Sequence, residues 1–407
     1  MPVGRPPIDD GAVIVSGECI AAVGSWRNLR SQVTGRVEDL GDVALLPGLV
    51  NAHCHLDYTH MAGLFPPQKK FSDWIKLITT EKAHWIYSDY AKSWIDGAKM
   101  LLRTGTTTVA DIEAVPELLP DVWNATPLRV LSFIEMTGVR SRRNPGTILA
   151  EAIQTIDALP DHRCIAGLSP HAPYSTTAKL QRLAASTARR RGWRLATHVA
   201  ESAAEFEMFT KGGSELFEWL RRNQRDMRDC DGRSPVQHLA QCDALGRHLL
   251  AVHVNYLAPG DTALLGRKRV SVVHCPRSHD YFRHQEFPFH ALAKAGVNIC
   301  LGTDSLATVR KHPRREVELN MFHEMRAFAA KYPDVSPKRI VRMATINGAI
   351  ALGRSGKIGE LKRNAFADLI AIPLQEKRAD VYDAIVGHAG EIAAGMIGGE
   401  WAIALRS

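Results

Sequence analysis

Eight short runs rich in β-branched and apolar residues recur through this chain: Leu45–His55, Thr106–Ile112, Leu128–Met136, Cys164–Ala172, Arg194–Ser202, Leu249–Leu257, Val270–Ser278 and Val297–Ser305. Most are separated by stretches long enough for a crossover helix, such as Asp89–Leu102 and Thr177–Gly192. Repeated strand–helix alternation requires a parallel sheet, because parallel neighbours are joined only by long crossovers. Eight such units predict an α/β fold of the (β/α)8 TIM-barrel type.

In a barrel of this kind the chemistry gathers at the C-terminal ends of the strands. Polar residues stand at those ends here: His53 and His55 on the first run, His171 on the fourth, His198 and Glu201 on the fifth, and His253, His274 and Asp304 on the last three. Residues i and i+2 of a strand share a face, so the imidazoles of His53 and His55 project together. Two converging imidazoles are half of a transition-metal site. A lone strand-end histidine is more often a hydrogen-bonded structural residue. Polar ends on most of eight strands would share one mouth, and that calls for a common purpose.

The flanks carry further strand signals. Gly11–Val15 and Cys19–Val23 surround a turn at Gly17-Glu18, and Ala367–Ile372 and Gly395–Trp401 follow the barrel. Neither end buries a core alone, so the two are expected to pair as one small β-sandwich domain. The expected division is 1–46 and 356–407 for that domain and 47–355 for the barrel. With 407 residues, 45% hydrophobic and 23% charged, the composition is that of an ordinary globular chain. No apolar run reaches bilayer length, and the first residues lack the apolar core of a secretory signal. No membrane association and a cytoplasmic location are therefore expected. The seven cysteines are odd in number and lack framework spacing, so free thiols are expected, with Cys54 and Cys275 as small buried hydrophobes. A net charge of +8 raises nucleic acid as a partner. The basic clusters Arg189–Arg191 and Arg221-Arg222 sit in helical stretches without interleaved aromatics, which reads as a solvated face, and no nucleic-acid partner is expected.

The motifs PGLVNAHCHLD, GLSPHAPYS, THVAES, VVHCPRSH and LGTDS stand at the ends of the first, fourth, fifth, seventh and eighth runs, and TINGAIALG and FADLIAI follow. With these in place the chain resembles the amidohydrolase superfamily over essentially its whole length. It looks most like the branch of chlorohydrolases and heterocycle deaminases, which includes methylthioadenosine/adenosylhomocysteine, guanine and aminodeoxyfutalosine deaminases. Binuclear members of that superfamily carry a bridging lysine on strand four, and the fourth run here has none. The resemblance therefore implies one divalent ion per chain, held by His53, His55, His198 and Asp304. Three imidazoles and a carboxylate suit Zn2+ or Fe2+. The resemblance further implies that Glu201, in the HxxE pattern, protonates a ring nitrogen. It implies that His253 orients the water and that Asp304 accepts and returns its proton. Since i and i+3 face opposite sides of a strand, Glu201 is expected where the strand turns into its loop.

The implied substrate is a small heterocyclic amine, purine- or nucleoside-like, lost as ammonia. Displacement of chloride from a similar ring and opening of a cyclic amide remain alternatives, as does a non-catalytic barrel serving as a binding scaffold. His171 and Trp74 are candidate substrate contacts. His274 is either an outer partner of the site or a barrel histidine, and Trp74 also fits an amphipathic-helix core position. Glu81 does not stand at the spacing of the ribose-binding glutamate of the methylthioadenosine group. The pattern Pro276-Arg277-Ser278-His279 departs from the family's asparagine after Pro-x-Ser. Arg140, Arg142 and Arg143 after the third run, and Arg310–Arg315 after the eighth, suit an anionic substituent or simply a soluble surface, with Arg140 the foremost candidate contact. Related proteins imply a homo-oligomer, though no interface stands out.

Overall fold

A small hairpin precedes the barrel. Strand β1 (Gly11–Ser16) pairs antiparallel with β2 (Cys19–Ser25), and β3 (Val43–Pro47) follows. The barrel strands are β4 (Leu49–Cys54), β5 (Thr106–Glu113), β6 (Arg129–Met136), β7 (Ile165–Pro170), β8 (Leu195–Val199), β9 (Leu249–His253), β10 (Ser271–His274) and β11 (Asn298–Leu301). Three strands close the chain: β12 (Leu369–Pro373), β13 (Ala394–Ile397) and β14 (Glu400–Ile403). The computed structural model describes residues 1–139, 143–160, 163–311, 317–374 and 380–404.

Strands β4 to β11 form one eight-stranded parallel sheet in sequence order. The ring is joined at its C-terminal mouth just past β11. There the amides of Thr303 and Asp304 both donate to the carbonyl of His53, at 3.0 and 3.1 Å, and Asn51 Nδ2 donates to Thr303 Oγ1 at 2.7 Å. Gly302 permits this approach, because a Cβ there would lie 2.8 Å from the His53 carbonyl oxygen. The crossover helix Tyr87–Arg103 packs Trp94 and Leu101 inward, and Ala178–Arg191 packs Leu180, Ala184 and Ala188. The second helix begins where Thr177 Oγ1 accepts the Leu180 amide and ends at Gly192, whose φ of 69° is the left-handed cap that glycine supplies without strain. Inside the barrel, Val50, Ala110, Leu131, Phe133 and Val252 fill the axis. Outside it, Trp94 and Trp123 are fully buried. Each large side chain so buried stabilises the fold by about 1.5–3 kcal/mol.

The first expected run, Leu45–His55, is divided. Gly48 ends β3, and the chain passes from the small sheet into the barrel. A side chain at Gly48 would meet Thr107, its Cβ only 2.0 Å from Oγ1. The last expected run, Gly395–Trp401, is a hairpin rather than one strand. Gly398 and Gly399, at φ 59° and 83°, make the tight turn between β13 and β14. The four-stranded sheet β14-β13-β12-β3 thus combines both ends of the chain. The β1–β2 hairpin covers it through Val13, Val15, Ile20 and Val23 against Leu45, Leu369 and Met396. This is the small sandwich beside a TIM barrel that the flanks suggested. A buried ion pair ties the barrel to this small domain: Arg129 at the start of β6 donates through Nε to Asp368 Oδ2 at 2.8 Å and through its second nitrogen to Oδ1 at 3.3 Å.

Among the described residues no two of the seven cysteines form a disulfide, and Cys54 and Cys275 are buried. The basic helices carry surface ion pairs, Arg189–Asp243, Arg191–Asp157 and Arg221–Glu218. Among the described residues no helix is long and apolar enough to cross a membrane.

Candidate metal centre

His53 near the end of β4 and His55 just past it, with His198 on β8, converge at the mouth, and their ligand nitrogens all lie within 4.8 Å of one another. His55 Nε2 is 3.4 Å from His198 Nε2. Asp304, one loop beyond β11, brings Oδ1 to 3.5 Å from His53 Nε2 and 3.7 Å from His55 Nε2. A tetrahedral ion with bonds of about 2.0–2.1 Å holds its ligand atoms about 3.3–3.4 Å apart, so the donor set fits a metal with little rearrangement. The buried Nε2 of His53 has no hydrogen-bond partner among the described residues. An orphaned ring nitrogen facing two more imidazoles and a carboxylate is what an ion would satisfy.

The surroundings prepare the donors. His198 Nδ1 lies 3.0 Å from the His171 carbonyl oxygen. Donation there leaves Nε2 deprotonated toward the cluster. His55 stacks on Tyr58 at 5.2 Å with its ring nearly parallel. Burial first, and then the neighbouring histidines, hold the pKa of His55 and His198 well below the ordinary imidazole range, so both are neutral ligands. For Asp304, burial alone would favour the acid form. The adjacent His53, with His253 and His55, outweighs it and holds the carboxyl well below the usual carboxylate range. Ser278 Oγ also donates to Asp304 Oδ2 at 2.6 Å.

Glu201 stands where the strand bends. β8 ends at Val199, Ala200 adopts φ 52°, and this left-handed residue turns the glutamate back toward the mouth. His253 and Asp304 also have positive φ, 75° and 54°. Non-glycine residues in that region cost about 1–3 kcal/mol each, and three of them stand around this one mouth. Glu201 Oε1 is 3.7 Å from His253 Nε2. Burial, reinforced by the charges of Asp304 and Glu205, raises Glu201 well above the usual carboxylate range. Burial lowers His253 to about 3. Burial thus favours the acid form of Glu201 and the neutral form of His253.

The other expected contacts are spread around this core. His171 is half-buried beside His198, ring centroids 4.8 Å apart, with Nδ1 2.5 Å from Ser175 Oγ. Trp74 lies in helix Phe71–Lys82, edge-on to Phe282 at 5.2 Å and stacked on Phe71, and its buried Nε1 has no partner among the described residues. His274 stacks on Phe287 at 3.9 Å and is not one of the three converging histidines. Glu81 accepts from Trp85 Nε1 at 3.1 Å. Arg143 pairs with Glu151 on the exposed surface, whereas Arg140, Arg142, Arg314 and Arg315 lie outside the described residues.

Three neighbours were not singled out from sequence. Glu205 Oε2 accepts the Glu201 amide at 2.9 Å, and its position four residues on, in the first turn of a helix, was the available signal. Ser278 lay inside a quoted motif without a role. Lys82 Nζ donates to the Tyr58 hydroxyl at 2.5 Å, bringing a cation beside the ring that stacks on His55. No local pattern foretold that.

The description "Amidohydrolase family" belongs to the family model that matches residues 44–402. The aminodeoxyfutalosine deaminase of Deinococcus radiodurans is 30% identical over 355 residues, 84% of this chain and 81% of that one. The 5-methylthioadenosine/S-adenosylhomocysteine deaminase of Syntrophobacter fumaroxidans is 31% identical over 396 residues, covering 92% of this chain and 82% of that protein. Among solved structures, an adenosine deaminase from Xanthomonas campestris with bound zinc superposes with a TM-score of 0.84 at 25% identity, covering 98% of this chain and 90% of its own.

Proposed function

The chain belongs to the amidohydrolase family and is a hydrolase of carbon–nitrogen bonds, and from that premise we propose that it deaminates a purine- or nucleoside-like heterocyclic amine with one divalent ion per chain. The observation that carries this reading is the convergence at one mouth of the His53, His55 and His198 nitrogens with Asp304, and of the buried Glu201 carboxyl, which lies 3.7 Å from His253 and is raised by burial above the usual carboxylate range.

His53, His55, His198 and Asp304 would hold the ion, Zn2+ or Fe2+. When bound it supplies a Lewis acid that brings the pKa of a water to about 7. Glu201 gives its proton to the ring nitrogen next to the amino-bearing carbon, which makes that carbon electrophilic. Asp304, ionised, takes one proton from the attacking water and returns it to the departing amino group, which leaves as ammonia, and the remaining hydroxyl proton returns to Glu201 as the ring carbonyl forms. His253, neutral, orients the water and stabilises charge on the oxygen as the new bond forms. His171 and Trp74 supply a ring edge and an aromatic face for the base. Lys82 offers a cation for an anionic substituent, the recognition first expected of Arg140.

The test is an ammonia-release screen on metal-loaded protein with adenosine analogues, aminodeoxyfutalosine, guanine and cytosine. Ammonia from at least one purine compound is expected. Release of chloride from a chlorinated triazine, with no ammonia from any amine, would overturn the reading in favour of a chlorohydrolase. Silence toward every compound would favour a binding scaffold.

A further inference from the structure

We propose that the N-terminal end of the barrel, opposite the metal centre, is a binding site for a phosphate-bearing small molecule. This inference is independent of the activity proposed above. Two cavities of about 330 and 530 Å3 adjoin there and share Leu131, Ile165, Leu352 and Arg354. Together they have the size of a small-molecule pocket. The first lies between the starts of β5, β6 and β7 and the small domain, which contributes Glu18 and Phe366. The second continues past Trp193 to Arg194, at the start of β8.

The lining is rich in guanidinium groups, and their partners can be accounted for. Arg129 is engaged by Asp368 and lies over the Phe366 ring at 3.8 Å. Arg163 and Arg354 are exposed and form no ion pair among the described residues. Arg194 is the unusual one. One terminal nitrogen donates to the Ala351 carbonyl, and among the described residues Nε is buried without a partner and no carboxylate pairs with the guanidinium. Burial lowers its pKa to about 10. A partly buried guanidinium short of a counter-charge is costly, and an anion in the adjoining cavity would offset that cost.

On the wall of the first cavity, Thr108 Oγ1 is also buried without a partner among the described residues. It offers a hydroxyl donor toward an anionic oxygen. Among the described residues Glu18 is the one carboxylate that lines either cavity, against Arg129, Arg163, Arg194 and Arg354, so positive charge prevails among them. Guanidinium forks match phosphate oxygens, and several of them suit a group with more than one negative charge. The apolar walls, Leu131, Ile165, Leu352, Phe366 and Trp193, suit an organic body attached to that group. None of these residues belongs to the metal centre, which stands at the other ends of the same strands.

Calorimetric titration of the metal-loaded protein with inorganic phosphate and with adenosine 5′-monophosphate, at constant ionic strength set by chloride, tests the proposal. One saturable site per chain is expected. In Arg194→Met, and in the double variant Arg163→Gln/Arg354→Gln, affinity should fall by about tenfold or more, the loss of a charge-assisted hydrogen bond, with metal content unchanged. Tighter binding of the nucleotide would assign the site to an organic phosphate, and equal binding to the free anion. If Arg194→Met does not fold, the rim variant decides. No saturable binding of either anion, or binding that the folded variants leave intact, would overturn the proposal.

Discussion

Replacing Asp368 with alanine should loosen the joint between the barrel and the small domain by an amount the structure allows to be worked out. Its carboxylate is 3% exposed and accepts two hydrogen bonds from Arg129 and one from the Gly398 amide at 2.8 Å. Removing it leaves a mostly buried guanidinium and a backbone N–H unpaired. Breaking a buried ion pair from one side costs about 3–5 kcal/mol. With an unfolding entropy of about 2.1 cal/mol/K per residue, a chain of this length should lose about 4–6 °C in Tm. The pair contributes through mutual neutralisation, so Arg129→Met/Asp368→Ala should be less destabilised than the two single changes added together. Differential scanning calorimetry with parallel urea denaturation measures both quantities. Metal content should not change, because the pair lies at the opposite end of β6 from the mouth. A drop below about 1 °C, or strictly additive losses, would refute the reasoning.

Two further outcomes follow from the same geometry. Gly302→Ala puts a Cβ 2.9 Å from the Cβ of His53, so β4 and the end of β11 must separate. Overpacking of this kind costs about 1–3 kcal/mol, and metal stoichiometry by elemental analysis should fall with it. The second outcome concerns pH. Burial raises Asp111 to about 7 and Glu205 to about 8, so their contribution is fully present below the unfolded carboxylate pKa and is lost as pH rises through those values. Burial depresses His238 and His248 to about 4, so theirs is present above the unfolded imidazole pKa and is lost as pH falls through 4. Above about pH 6.5 only the carboxyl groups of this set act, and stability should decline toward pH 8 by at most about 1.4 kcal/mol per unit for each group. Urea midpoints across that range should show the decline, and Glu205→Gln, neutral throughout, should flatten it.

The parts of this molecule that were legible in its sequence are those written in local periodicity. His53 and His55 share a face because a strand repeats every two residues. The need for a bend between His198 and Glu201 followed from the same rule, and Ala200 supplies it. The double role of the first run was not legible. Leu45–Pro47 and Leu49–Cys54 have the same apolar character, and only their distant partners, β12 for the first and β5 for the second, assign them to different sheets. The Gly398-Gly399 turn carried a hairpin signal that the apolar residues around it obscured. Pairings across long separations, such as Arg129 with Asp368 or Lys82 with the hydroxyl beside His55, have no local signature, because folding alone brings those groups together.

The central claim is that one ion and the Glu201 carboxyl divide the chemistry between them. Metal stoichiometry and ammonia release, measured side by side in the wild type, Glu201→Gln and His53→Ala, test it most directly. The account predicts about one divalent ion per chain in the wild type and in Glu201→Gln. It predicts a fall in turnover of about 10²–10⁴-fold in Glu201→Gln, the usual contribution of a general acid, and loss of metal and activity together in His53→Ala. Two ions per chain, or Glu201→Gln retaining most of its turnover with its ion in place, would contradict it.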